Sequence, residues 1–420
     1  MNDHEFLERH LNGDLDGPEL EAFLRRLQES PRLRLELASR ALEETLLAEV
    51  VREGRVAVRP RRRMEWTAAA AAALMLALLG GILLQIRRPA AVAAKTAEQV
   101  RIDDAVTRAC RYLEQRRGDF FLAIADGKRH SAPPRRLYAE LAALTLLRAG
   151  YPQSHPLVEE CLGRALGRPL ESTYVAALQA RLGRPELCRR VAQFLADTQC
   201  ANGQWDYGRA VTILGPPPEG RIVRRGEGPA SGDNSVSAYA VLGLLDCRRA
   251  GVDVEADILL RARRWWLSCQ NGDGGWGYAG GVGEMTESAD STSISSYGSA
   301  TASGVASLAA LRELIGPDGS TDAAIDRGLA WLGSHFSVEA NPAKSSGFSH
   351  IHWLSSAGRA GTLLHQSRFG THDWYAEGAA FLLSTQQADG AWRLEQGPFM
   401  KGEKNDVIDT CLAVLFLLRD

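Results

Sequence analysis

One spacing occurs three times in this chain. Phe194-Leu195 is followed by Gln199, Gly203 and Trp205; Trp265-Trp266 by Gln270, Gly275 and Trp276; Phe381-Leu382 by Gln386, Gly390 and Trp392. The second copy carries two glycines: Gly275 is assigned to the motif with Gln270 and Trp276, and Gly274 serves the same spacing. Such a pattern fits the junction between two helices. The aromatic–aliphatic pair packs the end of one helix. Glutamine near that end can satisfy free carbonyls, and glycine accepts the positive φ of a tight turn. The tryptophan then staples the loop onto the next helix. These are scaffold roles, and a chain that repeats them is built of stacked helix pairs.

Apolar periodicity and breakers give twelve helical segments, at about 101–117, 135–149, 154–167, 171–183, 185–200, 234–250, 255–270, 299–315, 321–336, 350–365, 372–387 and 405–419. Turn residues separate them, among them Gly150, Gly183, Gly251, Gly316-Pro317 and Gly370. Almost nothing reads as a strand. A long helical series with an internal repeat is the mark of an array. Alternate segments rich in Ala, Leu, Ser and Gly ("LYAELAALTLL", "STYVAALQARL", "NSVSAYAVLGLL", "TASGVASLAAL", "HIHWLSSAGRAGTLL", "DVIDTCLAVLFLL") are expected to face inward.

"TQCANGQW", "CQNGDGGWGY" and "QQADGAW" resemble the Gln-Trp repeats of squalene and oxidosqualene cyclases, whose toroid of six helix pairs is shared with protein prenyltransferase β subunits. "GTHDWYAEGAAFLL" is similar to membrane-anchored members of planctomycete type. The resemblance covers about 100–420 and implies an all-α, six-pair (α/α) toroid over 99–420. It also implies a cavity suited to an isoprenoid or lipid.

The N-terminal part differs. From Trp66 to Leu84 the chain is uncharged and apolar, enough for a helix rising roughly 28 Å, about one hydrocarbon core. Arg59, Arg61, Arg62 and Arg63 precede it, and Arg87 and Arg88 follow. The basic excess predicts one transmembrane helix (64–88 with its flanks, the lipid contact at 66–86), residues 1–63 in the cytoplasm, a linker at 89–98, and the toroid on the periplasmic side of a bacterial inner membrane. Residues 1–58 read as short helices and resemble the N-termini of anti-sigma factors, which makes a sigma factor a candidate partner; His4 and His10 have no cysteine beside them for zinc. A net charge of -2 argues against nucleic acid as a partner. The seven cysteines show no CxxC spacing and read as small buried hydrophobes.

Candidate functional residues gather at the N-terminal ends of the inner helices, where helix dipoles favour an anionic or polarised group. Tyr138, Tyr174, Asp233, Asn234, His350, His352 and Trp353 are expected around one mouth. Asp233 and Asp409 are the candidate catalytic carboxylates. Cyclases that protonate an alkene need clustered acids, as in DxDD, and this chain has neither that motif nor DDxxD. Asp233 also reads as a helix N-cap. Asp409-Thr410-Cys411 resembles the Asp-x-Cys zinc pair of prenyltransferases, with His350 or His352 as a third ligand, but the chain has no histidine after the pair. No cofactor or metal is therefore expected. Two loops, 208–232 and 277–298, precede inner helices and are expected on the mouth side. The best-fitting function is a membrane-anchored repeat protein that binds an apolar or peptide ligand without standard cyclase chemistry. A terpenoid cyclase or prenyl transferase, and an anti-sigma-like regulator, are the alternatives.

Overall fold

A computed structural model describes residues 95–120, 137–167, 170–208, 219–279, 295–344, 349–394 and 406–420. The apolar run at 66–86, the cytoplasmic piece 1–63 and all but the end of the 89–98 linker lie outside the described residues. Among the described residues no helix is long and apolar enough to cross a membrane.

Twelve α-helices are described: α1 Ala97–Gln115, α2 Leu137–Arg148, α3 Pro156–Gly167, α4 Thr173–Arg181, α5 Pro185–Thr198, α6 Asn234–Arg249, α7 Ala256–Ser268, α8 Gly298–Ile315, α9 Gly319–His335, α10 His350–Leu363, α11 Trp374–Thr385 and α12 Asp406–Leu417. No strand occurs among the described residues, only isolated bridges. The first helix starts inside the segment read as linker, because the Thr96 side chain caps it by accepting from Gln99 N at 3.1 Å.

The even-numbered helices form a closed inner wall. α2 packs on α4, α4 on α6, α6 on α8, α8 on α10, α10 on α12, and α12 returns to α2. The odd-numbered helices form an outer layer, with α11 meeting α1 across the closure. Composition explains the division. α5 buries only the stripe around Leu187, Cys188, Val191, Ala192 and Leu195, together with its C-terminal turn, whereas α12 buries every residue from Asp406 to Leu417. A helix apolar on all sides must be surrounded, and an amphipathic one sits at the boundary with water.

The inner helices run parallel. Tyr174 and Ser235, at the starts of α4 and α6, touch; Arg148 and Arg181, at the ends of α2 and α4, both pair with Asp420 just past α12. Each inner helix is flanked by two inner neighbours and the outer layer, so side chains left half-exposed in mid-helix face the lumen.

The three motif copies are superimposable in chemistry. Gln199, Gln270 and Gln386 each donate through Nε2 to the carbonyl of the motif glycine and to a carbonyl of the next outer helix: Ile258 at 2.9 Å, Ala324 at 2.9 Å and Ala105 at 2.9 Å. The last of these crosses the closure. Trp205, Trp276 and Trp392 donate from Nε1 to Leu195, Trp266 and Leu382 carbonyls, and their backbone N–H groups donate to Ser237, Thr301 and Thr410 on the next inner helix. Gly203, Gly274 and Gly390 hold φ of +98, +90 and +90°. This corrects the motif: Gly274, not Gly275, is the counterpart of Gly203 and Gly390. Gly275 instead packs against Ser296 and Thr301.

Candidate functional site

The mouth formed by the N-terminal ends of α4 and α6 carries a hydroxyl network centred on Asp233. Its Oδ1 accepts from Val236 N at 2.9 Å and Ser235 Oγ at 2.6 Å; its Oδ2 accepts from Tyr278 Oη at 3.0 Å. Ser235 has one proton and gives it to Asp233, so the 2.8 Å contact between Tyr174 Oη and Ser235 Oγ runs from tyrosine to serine. By the same count Tyr207 Oη donates to Tyr278 Oη at 2.9 Å. Every hydroxyl points its hydrogen toward one carboxylate. Burial lifts the Asp233 carboxyl above its ordinary range, opposed by the Ser235, Val236 and Tyr278 donors. Burial also raises Tyr174, Tyr207 and Tyr278, which therefore stay protonated.

Below the mouth the lumen is lined from three sides. Tyr239, Leu242 and Asp246 continue down α6, Ser303 lies on α8, and His352 and Ser356 on α10. Ser303 Oγ lies 3.4 Å from Ser356 Oγ. Tyr174 meets Tyr239 edge-on at 4.7 Å between centroids. Arg359, one turn past Ser356, reaches across from α10 to place its guanidinium 4.9 Å from the Tyr239 ring centroid. Since α8 stands between α6 and α10 in the wall, this contact spans the lumen. Burial, aided by the Arg359 charge, pushes the His352 imidazole down to about 4, so it is neutral at physiological pH.

The expected mouth residues divide. Tyr174, Asp233 and His352 face the lumen. Asn234 turns away: its Oδ1 accepts from Trp265 Nε1 at 2.8 Å and its Nδ2 donates to Gly277 O at 2.9 Å. His350 contacts the Val338 carbonyl at 2.8 Å and packs on Phe381 of α11, and Trp353 donates to Ser337 O at 2.8 Å. Both belong to the wall's packing, because residues one or two positions from His352 are turned off the lumen face by the 100° helical step. Tyr138 lies in the first turn of α2, and its side chain is outside the described set.

Asp409 accepts from Leu394 N at 2.6 Å, while Cys411 is buried, its thiol pushed up to about 12 by burial. Asp409, Cys411 and His352 are not brought together, and no group of three metal-ligating side chains occurs among the described residues. The seven cysteines are buried and unpaired with one another. The loop before α6 is less of a lid than its length implied: Arg225 pairs with Asp197 at 2.9 Å and Gly228 N donates to Gln199 O at 3.0 Å, which pins 224–228 on the outer rim. Residues 209–218 and 280–294 lie outside the described set. A surface groove lined by Ala330, Ser334, Gln366 and Phe369 is separate from the lumen.

Tyr207, Tyr278, Tyr239 and Arg359 were not foreseen. The first two follow Trp205 and Trp276 by two residues, a signal within the repeat itself; the third copy has Leu394 there.

No family model and no curated relative matches this chain. Among solved structures it is similar to a variant of the type II terpene cyclase MstE from Scytonema in its ligand-free form, with a TM-score of 0.47 and 15% identity over 77% of this chain and 97% of that one. A variant of the same cyclase bound to its substrate, geranylgeranyl dihydroxybenzoate, gives a TM-score of 0.47 at 15% identity, covering 77% and 98%. The six-pair ring itself is defined by the closed circuit of inner-helix contacts.

Proposed function

We propose that this ring is a ligand-binding vessel for an amphipathic molecule, tethered to a membrane through residues 66–86, and that it works without carbocation-forming cyclase chemistry. One observation carries the reading. The Asp233 carboxylate, where α4 and α6 begin, accepts from Val236 N, Ser235 and Tyr278, and the described hydroxyls around it are oriented toward it. A group so arranged orders the mouth and binds as an acceptor. To protonate an alkene it would need to carry a hydrogen itself, and the three donors, which fill three of its four lone-pair sites, favour its ionised form. Tyrosines suit the role, since each offers an aromatic face to an apolar body and a hydroxyl to a polar tip.

The test is to purify the full chain in mild detergent, extract it with organic solvent and analyse the extract by mass spectrometry. A co-purifying amphipathic molecule, unchanged by prolonged incubation with the protein, is expected. A repeatedly ligand-free protein that also binds no added polyprene would sink the reading.

The raised Asp233 carboxyl favours one second reading, acid catalysis on a polyene. Asp233→Asn separates the two. Asparagine retains the cap and cannot deliver a proton, so a binding vessel keeps its affinity, within about threefold, whereas a cyclase would show wild-type turnover that the variant loses.

A further inference from the structure

Arg359 is 9% exposed, and its guanidinium makes no hydrogen bond or ion pair among the described residues; Nη2 in particular is buried without a partner. Its one recorded contact is the face of Tyr239. A buried guanidinium normally finds a carboxylate, because desolvating it alone costs several kcal/mol, on the order of the whole stability of a small domain. Arg181 repeats the pattern nearby: Nη2 pairs with Asp420, while Nη1 is buried without a partner. The local carboxylates do not neutralise the pair. Asp420 is shared between Arg148 and Arg181. Asp246 lies close enough to interact electrostatically with Arg181 and Arg359, yet it accepts no hydrogen bond from Arg359, and burial raises its carboxyl toward the neutral form. Around the buried Arg181 and Arg359 stand two aspartates, one shared with the more exposed Arg148 and the other weakened by burial.

From these observations we infer that the lumen takes an organic monocarboxylate, its body lying among Tyr174, Tyr239 and His352 and its carboxylate received by Arg359. The inference rests on the binding-vessel reading and adds the ligand's chemical class. His352 and Arg359 are seven residues apart on one face of α10, a rise of about 10 Å. His352 is neutral and adds no competing charge at the entrance. The unpartnered donors number few, and Asp246 and Asp420 stand beside them. A diphosphate would bring more negative charge than this site can compensate, while one carboxylate accepts a fork of two N–H bonds from a single guanidinium.

The experiment uses the full chain in detergent and three probes with one body: farnesoic acid, farnesol and farnesyl diphosphate, titrated by calorimetry against the wild type, Arg359→Gln and Arg359→Lys. A charge-assisted hydrogen bond makes the acid about tenfold to a hundredfold tighter than the alcohol in the wild type. In Arg359→Gln that ratio falls to below about threefold, with farnesol affinity unchanged, and Arg359→Lys restores part of it. A purely structural arginine would lower both affinities together and leave the ratio intact, which overturns the inference. Equal binding of acid and alcohol by the wild type also overturns it, and leaves the vessel reading standing. Diphosphate binding tighter than the acid replaces the carboxylate with a polyanion and refutes it too. If none of the probes binds, the vessel reading falls, and this inference with it. The wild-type series decides without the variants, should either fail to fold.

Discussion

At Gly390 the backbone holds φ at +90°, and a Cβ built there would lie 2.5 Å from the Arg108 carbonyl oxygen. The carbonyl belongs to α1, so the conflict is between two main chains and no rotamer relieves it. Gly390→Ala is expected to cost about 1–3 kcal/mol, read as a lower midpoint in urea unfolding monitored by tryptophan fluorescence. An unchanged midpoint would mean that the turn relaxes freely and does not clamp the closure. His352 gives a second expectation at this scale. Its folded pKa of about 4 lies below the unfolded value of about 6.5, so between those values the unfolded chain binds a proton that the folded chain refuses. Stability is therefore full above about pH 6.5 and declines as the pH falls toward 4, by at most about 3 kcal/mol from this residue. His350, also lowered by burial, acts in the same direction. His352→Gln should flatten the fall in Tm between pH 6.5 and 4.5 relative to the wild type; parallel curves would show that His352 is not held neutral.

The helices themselves were legible because two independent signals agree along the chain. Glycine or proline punctuates most junctions, and inner and outer segments differ in composition. The readings of α5, α6 and α10 each start at the residue where the helix starts. Orientation within an inner helix was harder. In "HIHWLSSAGRAGTLL" every position but Arg359 is compatible with burial, so periodicity gives no preferred face, and His350, His352 and Trp353 could not be separated. Only the fold shows that His352, Ser356 and Arg359 share the lumen face. Arg359 was invisible for a different reason: an arginine in a small-residue helix reads as a solvent-facing charge until the neighbouring helices close around it. The motif tryptophans, by contrast, could be assigned as staples, and the structure gives their energetic role. Trp205, Trp276 and Trp392 are each fully buried. Each ties the end of its own outer helix to the following inner one. Replacement of any one by alanine removes both the packing and the Nε1 donor and should cost about 3–5 kcal/mol. Thermal unfolding followed by circular dichroism checks this, and a Tm unchanged in all three would refute the staple role.

A closed ring and an open array of the same pairs differ in how a local defect spreads. In an open solenoid each pair leans only on its neighbours, so damage near the C-terminus leaves the N-terminal pairs almost untouched. Here α12 packs on α2, α11 meets α1, Gln386 donates to the Ala105 carbonyl, and Asp420 pairs with Arg148 and Arg181. The last pairs of the sequence are thus the immediate neighbours of the first. Gln386→Ala removes two hydrogen bonds across the closure, to Ala105 O and from Arg108, and one within its own turn, and leaves the α5–α7 junction, which has its own Gln199, intact. Native-state hydrogen exchange on the full chain should then show faster opening of α1, about 280 residues away in sequence, and of α2, with α5 and α6 less affected although they lie nearer in the chain. Opening confined to α11 and α12 would mean that the two ends touch without sharing stability. The same closure gives the lumen its function under the vessel reading. Arg359 and Tyr239 face one another across the interior only while the wall is complete, so the Gln386→Ala variant should also bind ligand more weakly. That loss should follow its exchange behaviour without any change at the lumen residues themselves.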